Sequence, residues 1–273
     1  LGWRASRMPL RDLRSFAARN LAILLAALLL PAALLLFVNR DLYAVYVNVY
    51  TAAASFAALL SGLALLRAYA GSPRQVAQPL LFLVTGVALW ALAETVYTGF
   101  IILYGDPPAL SVCDALWLAG YPLLFLWLWT LSRPFSSQLE RLGVSTGSAS
   151  LLIIFSIALA VTATAVVYVK AGADGQLSLA QLVDSSYTVL DAVLLVMSAS
   201  TVRAFRGGAL GFAYWLVALG LIHFSVADLL YFAAGTPVFV PADLLYAASY
   251  VLVTLGLRVN LEILRESGRE KHH

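Results

Sequence analysis

The residues with the most chemical capacity in this chain are acids set into apolar surroundings. Glu94, Asp191 and Asp228 each have at least one helical turn of apolar residues on either side. An acid at bilayer depth costs about 2.5–3.5 kcal/mol on insertion scales, so each must face a protein interior and carry a proton or a partner. Tyrosines accompany them: Tyr97 follows Glu94 by three residues, Tyr231 follows Asp228 by three, and Tyr187 lies one turn before Asp191. Such spacings put ring and carboxyl on one helix face. His223 is five residues before Asp228, roughly 140° round a helix, and so is a neighbour rather than a same-face partner. Glu94, Tyr97, Tyr187, Asp191, His223, Asp228 and Tyr231 therefore define a candidate polar site for a cation, a proton or a small ligand. The plainer alternative is a set of protonated carboxyls that tie helices together through tyrosine hydroxyls.

A second set, Asp114 and Asp243, stands at the start of apolar helices, each with a tyrosine seven residues on, Tyr121 and Tyr250. Free backbone N–H groups and the helix dipole stabilise an acid there, so these four mark helix caps or the mouth of the site. Other chemistries find no support. A single internal histidine and one cysteine, Cys113, offer no metal-ligand set and no disulfide. There is no HExxH, GxSxG, P-loop or Gly-rich dinucleotide turn, and no lysine inside a span for a retinal Schiff base. No nucleophile–base pairing is visible. The expectation is a protein without catalytic, metal or cofactor sites.

The elements that must position these residues are membrane helices. Of 273 residues, 62% are hydrophobic and 11% charged, against about 25% charged in soluble domains. The apolar runs are roughly 18 to 24 residues long, helical spanning length, where barrel strands would alternate over about ten. Eight spans are read: Leu21–Val38, Tyr43–Leu66, Pro79–Leu103, Asp114–Leu131, Ser150–Val169, Leu179–Val202, Gly211–Ala234 and Pro241–Leu257. Ahead of them, residues 1–20 carry five arginines and a helical stripe of Leu10, Leu13 and Phe16 or Ala17. That reads as a basic amphipathic helix on an anionic membrane surface.

Of the 17 lysines and arginines, all but Arg40 and Lys170 fall in the N-terminal segment, the connections after even-numbered spans, or the C-terminal tail. The positive-inside rule then places both termini in the cytoplasm of a cell-membrane protein. The net charge of +3 reports this topology and anionic lipid at the cytoplasmic face; it gives no reason to expect nucleic acid.

The acid–tyrosine pattern occurs twice. Gly86 precedes Glu94 by eight residues, as Gly220 precedes Asp228, and the tyrosines after Glu94, Asp228, Asp114 and Asp243 keep the same spacings. Tyr50–Thr51 similarly matches Tyr187–Thr188. Four helices is an even number, so two such units enter the membrane with the same orientation. The expected fold is an all-α integral membrane protein of eight transmembrane helices as a 4+4 direct (parallel) repeat. Its parts are the interfacial helix 1–20, the repeats 21–131 and 150–257, and a cytoplasmic juxtamembrane helix and tail, 258–273. In the last helix Leu257, Leu261 and Leu264 have the seam spacing of a short coiled coil.

The runs AETVY (Glu94, Tyr97), GDPPALSVCD, DALWLAGYPLL and SSYTVLDAVLL resemble the multi-helix membrane sensor regions that precede cytoplasmic diguanylate cyclase (GGDEF), PAS and histidine kinase modules. The last run looks like the YPxxD pattern of such regions, with Thr188 where they commonly have proline. The resemblance covers roughly residues 80–260. It implies the sensing half of a signalling protein with a C-terminal signalling domain, or a homodimer; it carries over no ligand. The leading expectation is thus a membrane sensor with an outward-facing acidic–aromatic cavity coupled to the cytoplasm through its last helix. The rival is a small proton- or cation-coupled transporter or channel using Glu94 and Asp228.

Overall fold

A computed structural model describes residues 10–105, 110–141, 178–204, 208–234 and 240–269, and among these every regular element is an α-helix. The helices are α1 (Leu10–Val38), α2 (Arg40–Ala68), α3 (Arg74–Tyr104), α4 (Val112–Arg141), α5 (Leu179–Ala204), α6 (Gly208–Ala234) and α7 (Val240–Arg269). All seven are long and apolar enough to cross a membrane, the architecture of a multi-pass membrane protein. The expected span at 150–169 lies outside the described residues, as do residues 1–9 and 270–273 at the two ends.

Helices α2 to α7 form a closed ring in which each packs on the next and α7 returns to α2. Helix α1 lies outside the ring against α2 and α7, touching α6 more lightly. Its C-terminal part turns Leu30, Leu34 and Phe37 away from the protein, Phe37 at 90% exposure, as a lipid-facing surface must. Pro31 inside α1 has no N–H, so the carbonyl four residues back, at Ala27, loses its helical partner. The Tyr46 hydroxyl of α2 donates to that carbonyl, and Tyr50 donates to Leu24 O at 2.7 Å. Within a bilayer a freed backbone group needs such a replacement. Asn39 alone joins α1 to α2 and caps the second helix, its side chain accepting from Asp41 N at 2.8 Å and Leu42 N at 3.2 Å. Gly105 closes α3 in the left-handed region, at φ 84°.

Small residues set the closest approaches. A Cβ on Gly220 would lie 2.7 Å from Ser249 O, and one on Gly256 would lie 2.7 Å from Ala213 O, so α6 and α7 touch nearly backbone to backbone. Between α3 and α4, a Cβ on Gly120 would collide with the Trp90 indole.

Two sequence readings are corrected here. A separate interfacial helix ending near residue 20 is not seen: α1 runs unbroken from Leu10 into the first span, and Leu13 and Ala17 are buried against Ala213, Leu216, Val259 and Ile263. The stripe read as lipid-binding meets protein instead. Likewise the proposed coiled-coil seam is already occupied. Leu257 and Leu261 belong to the main core and Leu264 packs against it, because α7 continues beside α2 and α6 well past its apolar stretch.

Candidate functional site

The ring interior is filled by aromatic side chains holding three carboxyls. Trp90 of α3 and Phe224 of α6 stack across it, centroids 4.2 Å apart and planes 18° from parallel. Tyr121 meets the edge of Trp90 at 5.3 Å, and Tyr250 meets Phe224 at 5.9 Å. Trp90 fixes its own position by donating Nε1–H to Trp117 O at 3.0 Å. All four rings at the centre are under 5% exposed.

One helical turn beyond Trp90 and Phe224 lie Glu94 and Asp228. Glu94 Oε1 accepts from the Tyr250 hydroxyl at 3.0 Å and from Trp117 Nε1 at 3.3 Å. Asp228 Oδ2 accepts from the Tyr121 hydroxyl at 3.5 Å. The same hydroxyl donates to Asp191 Oδ1 at 2.7 Å, so the Asp191 and Asp228 carboxyls gather on one donor. Asp191 is fully buried and Glu94 5% exposed. The three acids thus gather in one place, from α3, α5 and α6. Among the described residues their hydrogen-bond donors are Tyr121, Tyr250 and Trp117, none of them a cation.

The tyrosines are rearranged from the sequence reading. Tyr231, read as a same-face partner of Asp228, packs its ring on Tyr246 (5.6 Å), and the ring of Tyr97 lies 5.5 Å from that of Trp117, the indole that donates to Glu94. The carboxyls are served by Tyr121 and Tyr250, read as lying at the mouth. A tyrosine ring carries its hydroxyl well away from its own helix, so a residue three positions off meets the ring, while an acid on a facing helix meets the hydroxyl. Tyr187 lies at the end of the site nearest the start of α4: its hydroxyl donates to Asp114 Oδ1 at 3.1 Å, and its ring is 6.3 Å from that of Tyr121. His223 turns Nδ1 to Leu219 O of its own helix at 2.8 Å, and no described carboxyl hydrogen-bonds it.

Asp114 caps α4 from its third position. Ser111 Oγ accepts from Cys113 N at 3.1 Å, and Asp114 Oδ2 accepts from Ser111 N at 2.8 Å, a reciprocal capping box. Asp243, in the first turn of α7, accepts from the Tyr43 hydroxyl at 3.2 Å. Two residues were not singled out in the sequence. Trp117 could have been, since a buried indole N–H needs an acceptor. Ser225, one turn before Asp228 and lying against the Asp191 carboxyl, gave no signal among the many serines.

Compared with protein-family models, with curated proteins and with solved structures, the chain matches none.

Proposed function

We propose that this chain is a membrane sensing module built from two four-helix units in the same orientation, with the carboxyl cluster between them as the point where a ligand or proton enters. The observation that carries this reading is an exchange of partners. Glu94 and Asp228 are matched by spacing, as are Tyr121 and Tyr250, and each acid takes its hydroxyl from the tyrosine of the other unit. Trp90 and Phe224, also matched, stack on each other, as residues beside a two-fold axis do. The neighbour relations support the same reading: α3 on α4 parallels α6 on α7, and α2 on α7 parallels α5 on α4.

Because the bonds at the centre join the two units, adding a proton or a cation there changes what holds them together. Helix α7 is the element placed to report the change. It carries Tyr250 at the centre, binds α2 further along through Arg258 Nε to Ser61 Oγ at 3.1 Å, and runs on to Arg269. Since its leucines are packed within the bundle, the output is a shift of α7 against α2 and α6, passed to an attached cytoplasmic domain or a second copy. Fusing a dimerisation-dependent reporter after Gly268 tests this. Its output should follow external pH, and Glu94→Gln and Asp228→Asn should each abolish that response. An output indifferent to pH and to both variants would remove the sensor reading and leave transport, to be sought as ion flux in vesicles.

The proposed orientation puts both termini in the cytoplasm, with Arg11, Arg14, Arg67 and Arg74 facing anionic lipid. Cysteines introduced at positions 105–110 and 235–240 should react with an impermeant reagent from outside, and those at 70–75 and 135–145 should not. The native Cys113 is buried, which keeps the background low. The opposite pattern of labelling would overturn the orientation and the outward entry with it.

A further inference from the structure

The two units are not equal at the centre, and the difference lies in their supply of hydrogens. Glu94 Oε1 has two donors, Tyr250 and Trp117, and needs nothing more to be satisfied. Asp191 and Asp228 together draw on the single proton of Tyr121, which goes to Asp191 Oδ1 at 2.7 Å and reaches Asp228 only at 3.5 Å. An ionised carboxyl is acceptor-only, so two of them gathered on one hydroxyl set two negative charges beside a single donor. Asp191 Oδ2 has no hydrogen-bond donor among the described residues, and neither does the Ser225 hydroxyl beside it have a partner, although both side chains are fully buried.

Among the described residues, the titratable groups facing the pair are Tyr121 from α4, Tyr187 from α5, Glu94 from α3 and Tyr250 from α7. None is basic, so nothing in this shell neutralises a doubly ionised pair. A shared hydrogen meets every one of these demands. It bridges the two carboxyls, removes one of two adjacent charges from the bilayer interior, and leaves Ser225 free to donate to an oxygen that remains ionised.

We propose that Asp191 and Asp228 form a proton-binding site that holds one proton between them, and that this pair, rather than Glu94, is where the centre first takes up hydrogen. This names the ligand of the site described above and rests on that reading only for its consequence in signalling. The binding step is a simple protonation: a hydronium ion gives one proton to the pair, its O–H bond breaks as a carboxyl O–H bond forms, and water leaves. Two interacting carboxyls then titrate as a unit, not as separate acids.

Infrared difference spectra of the purified chain in lipid nanodiscs, recorded across a pH series, test the proposal. One carboxyl C=O band should appear as the pair loads, and it should shift on transfer to heavy water. Asp191→Asn and Asp228→Asn should each remove the whole band, and the double variant should remove no more. Asp228→Glu, which keeps a carboxyl in place, should retain one band at a displaced frequency; Glu262→Gln, an exposed acid, serves as the unaffected control. If each single variant removes only half the signal, the two acids titrate independently and the shared proton is wrong. If sodium at fixed pH discharges the band, the pair is a metal-cation site instead. A band that behaves as expected beside an unresponsive reporter would retain the proton site and reject the sensor; a responsive reporter without the shared band would do the reverse.

Discussion

Gly220→Ala should unfold at markedly lower temperature than the parent chain, while Gly86→Ala should change little, although spacing makes the two glycines equivalents. The contrast follows from what each new methyl would strike. At Gly220 the nearest atoms are Ser249 O at 2.7 Å, Val253 Cγ2 at 2.8 Å and Val253 N at 3.2 Å, two of them backbone. A helix backbone cannot move aside locally, so α6 and α7 must separate along their length, and overpacking of this kind costs about 1–3 kcal/mol or more. At Gly86 the nearest atoms are the branched end of Leu124, at 3.1 and 3.2 Å, and Gly120 O only at 3.4 Å. A leucine can yield by a few tenths of an ångström. Alanine also gains up to about 1 kcal/mol over glycine in a helix, enough to balance the strain at Gly86 but not at Gly220. Thermal unfolding in detergent, followed by circular dichroism, reads both. Separating α6 from α7 would also draw Tyr250 away from Glu94, so the same variant should lose the pH response of the reporter. Equal stability of the two variants would mean that the close approach of α6 and α7 is not what it is described to be.

The parts of this architecture legible in the sequence are those fixed by local spacing. Long apolar runs give the helices, and charge at bilayer depth singles out Glu94, Asp191 and Asp228, because nothing else justifies an acid there. Partner choice was not legible. Periodicity on one helix says which residues share a face, and so it paired Glu94 with Tyr97 and Asp228 with Tyr231. The hydroxyls that reach the acids come from helices distant in the chain, Tyr250 lying 156 residues from Glu94 and Tyr121 lying 107 from Asp228. Spacing had matched Tyr121 with Tyr250 without saying what either touches. Burial misled in the same way at the chain's ends. A leucine seam at Leu257 and Leu261, or a basic stripe with Leu13, reads identically whether its apolar face meets lipid, a second chain or this one. Here it meets α2, α6 and α7 of the same bundle.

Tyr121→Phe should cost more than Tyr250→Phe, and the difference should disappear when Asp191 is removed. Both substitutions delete one hydroxyl at matched positions, so packing losses are alike and the hydrogen-bond supply decides. Without Tyr250, Glu94 Oε1 still accepts from Trp117 Nε1 at 3.3 Å, and the loss is that of an ordinary bond, about 1 kcal/mol. Without Tyr121, Asp191 Oδ1 loses its 2.7 Å donor while Oδ2 already has none, and Asp228 loses its 3.5 Å contact. Leaving a buried polar group unsatisfied costs about 1–3 kcal/mol, and more for a charged one, so Tyr121→Phe should destabilise by about 2–4 kcal/mol. Asp191→Leu removes the acceptor, and in that background Tyr121→Phe strands nothing fully and should cost under about 1 kcal/mol. The cycle of both single variants and the double therefore should show a coupling of about 1–3 kcal/mol, measured as unfolding in a mixed-micelle denaturant titration. Simple additivity would mean that the Tyr121 hydroxyl contributes nothing to holding Asp191, and the proton shared by Asp191 and Asp228 would then lose its principal support.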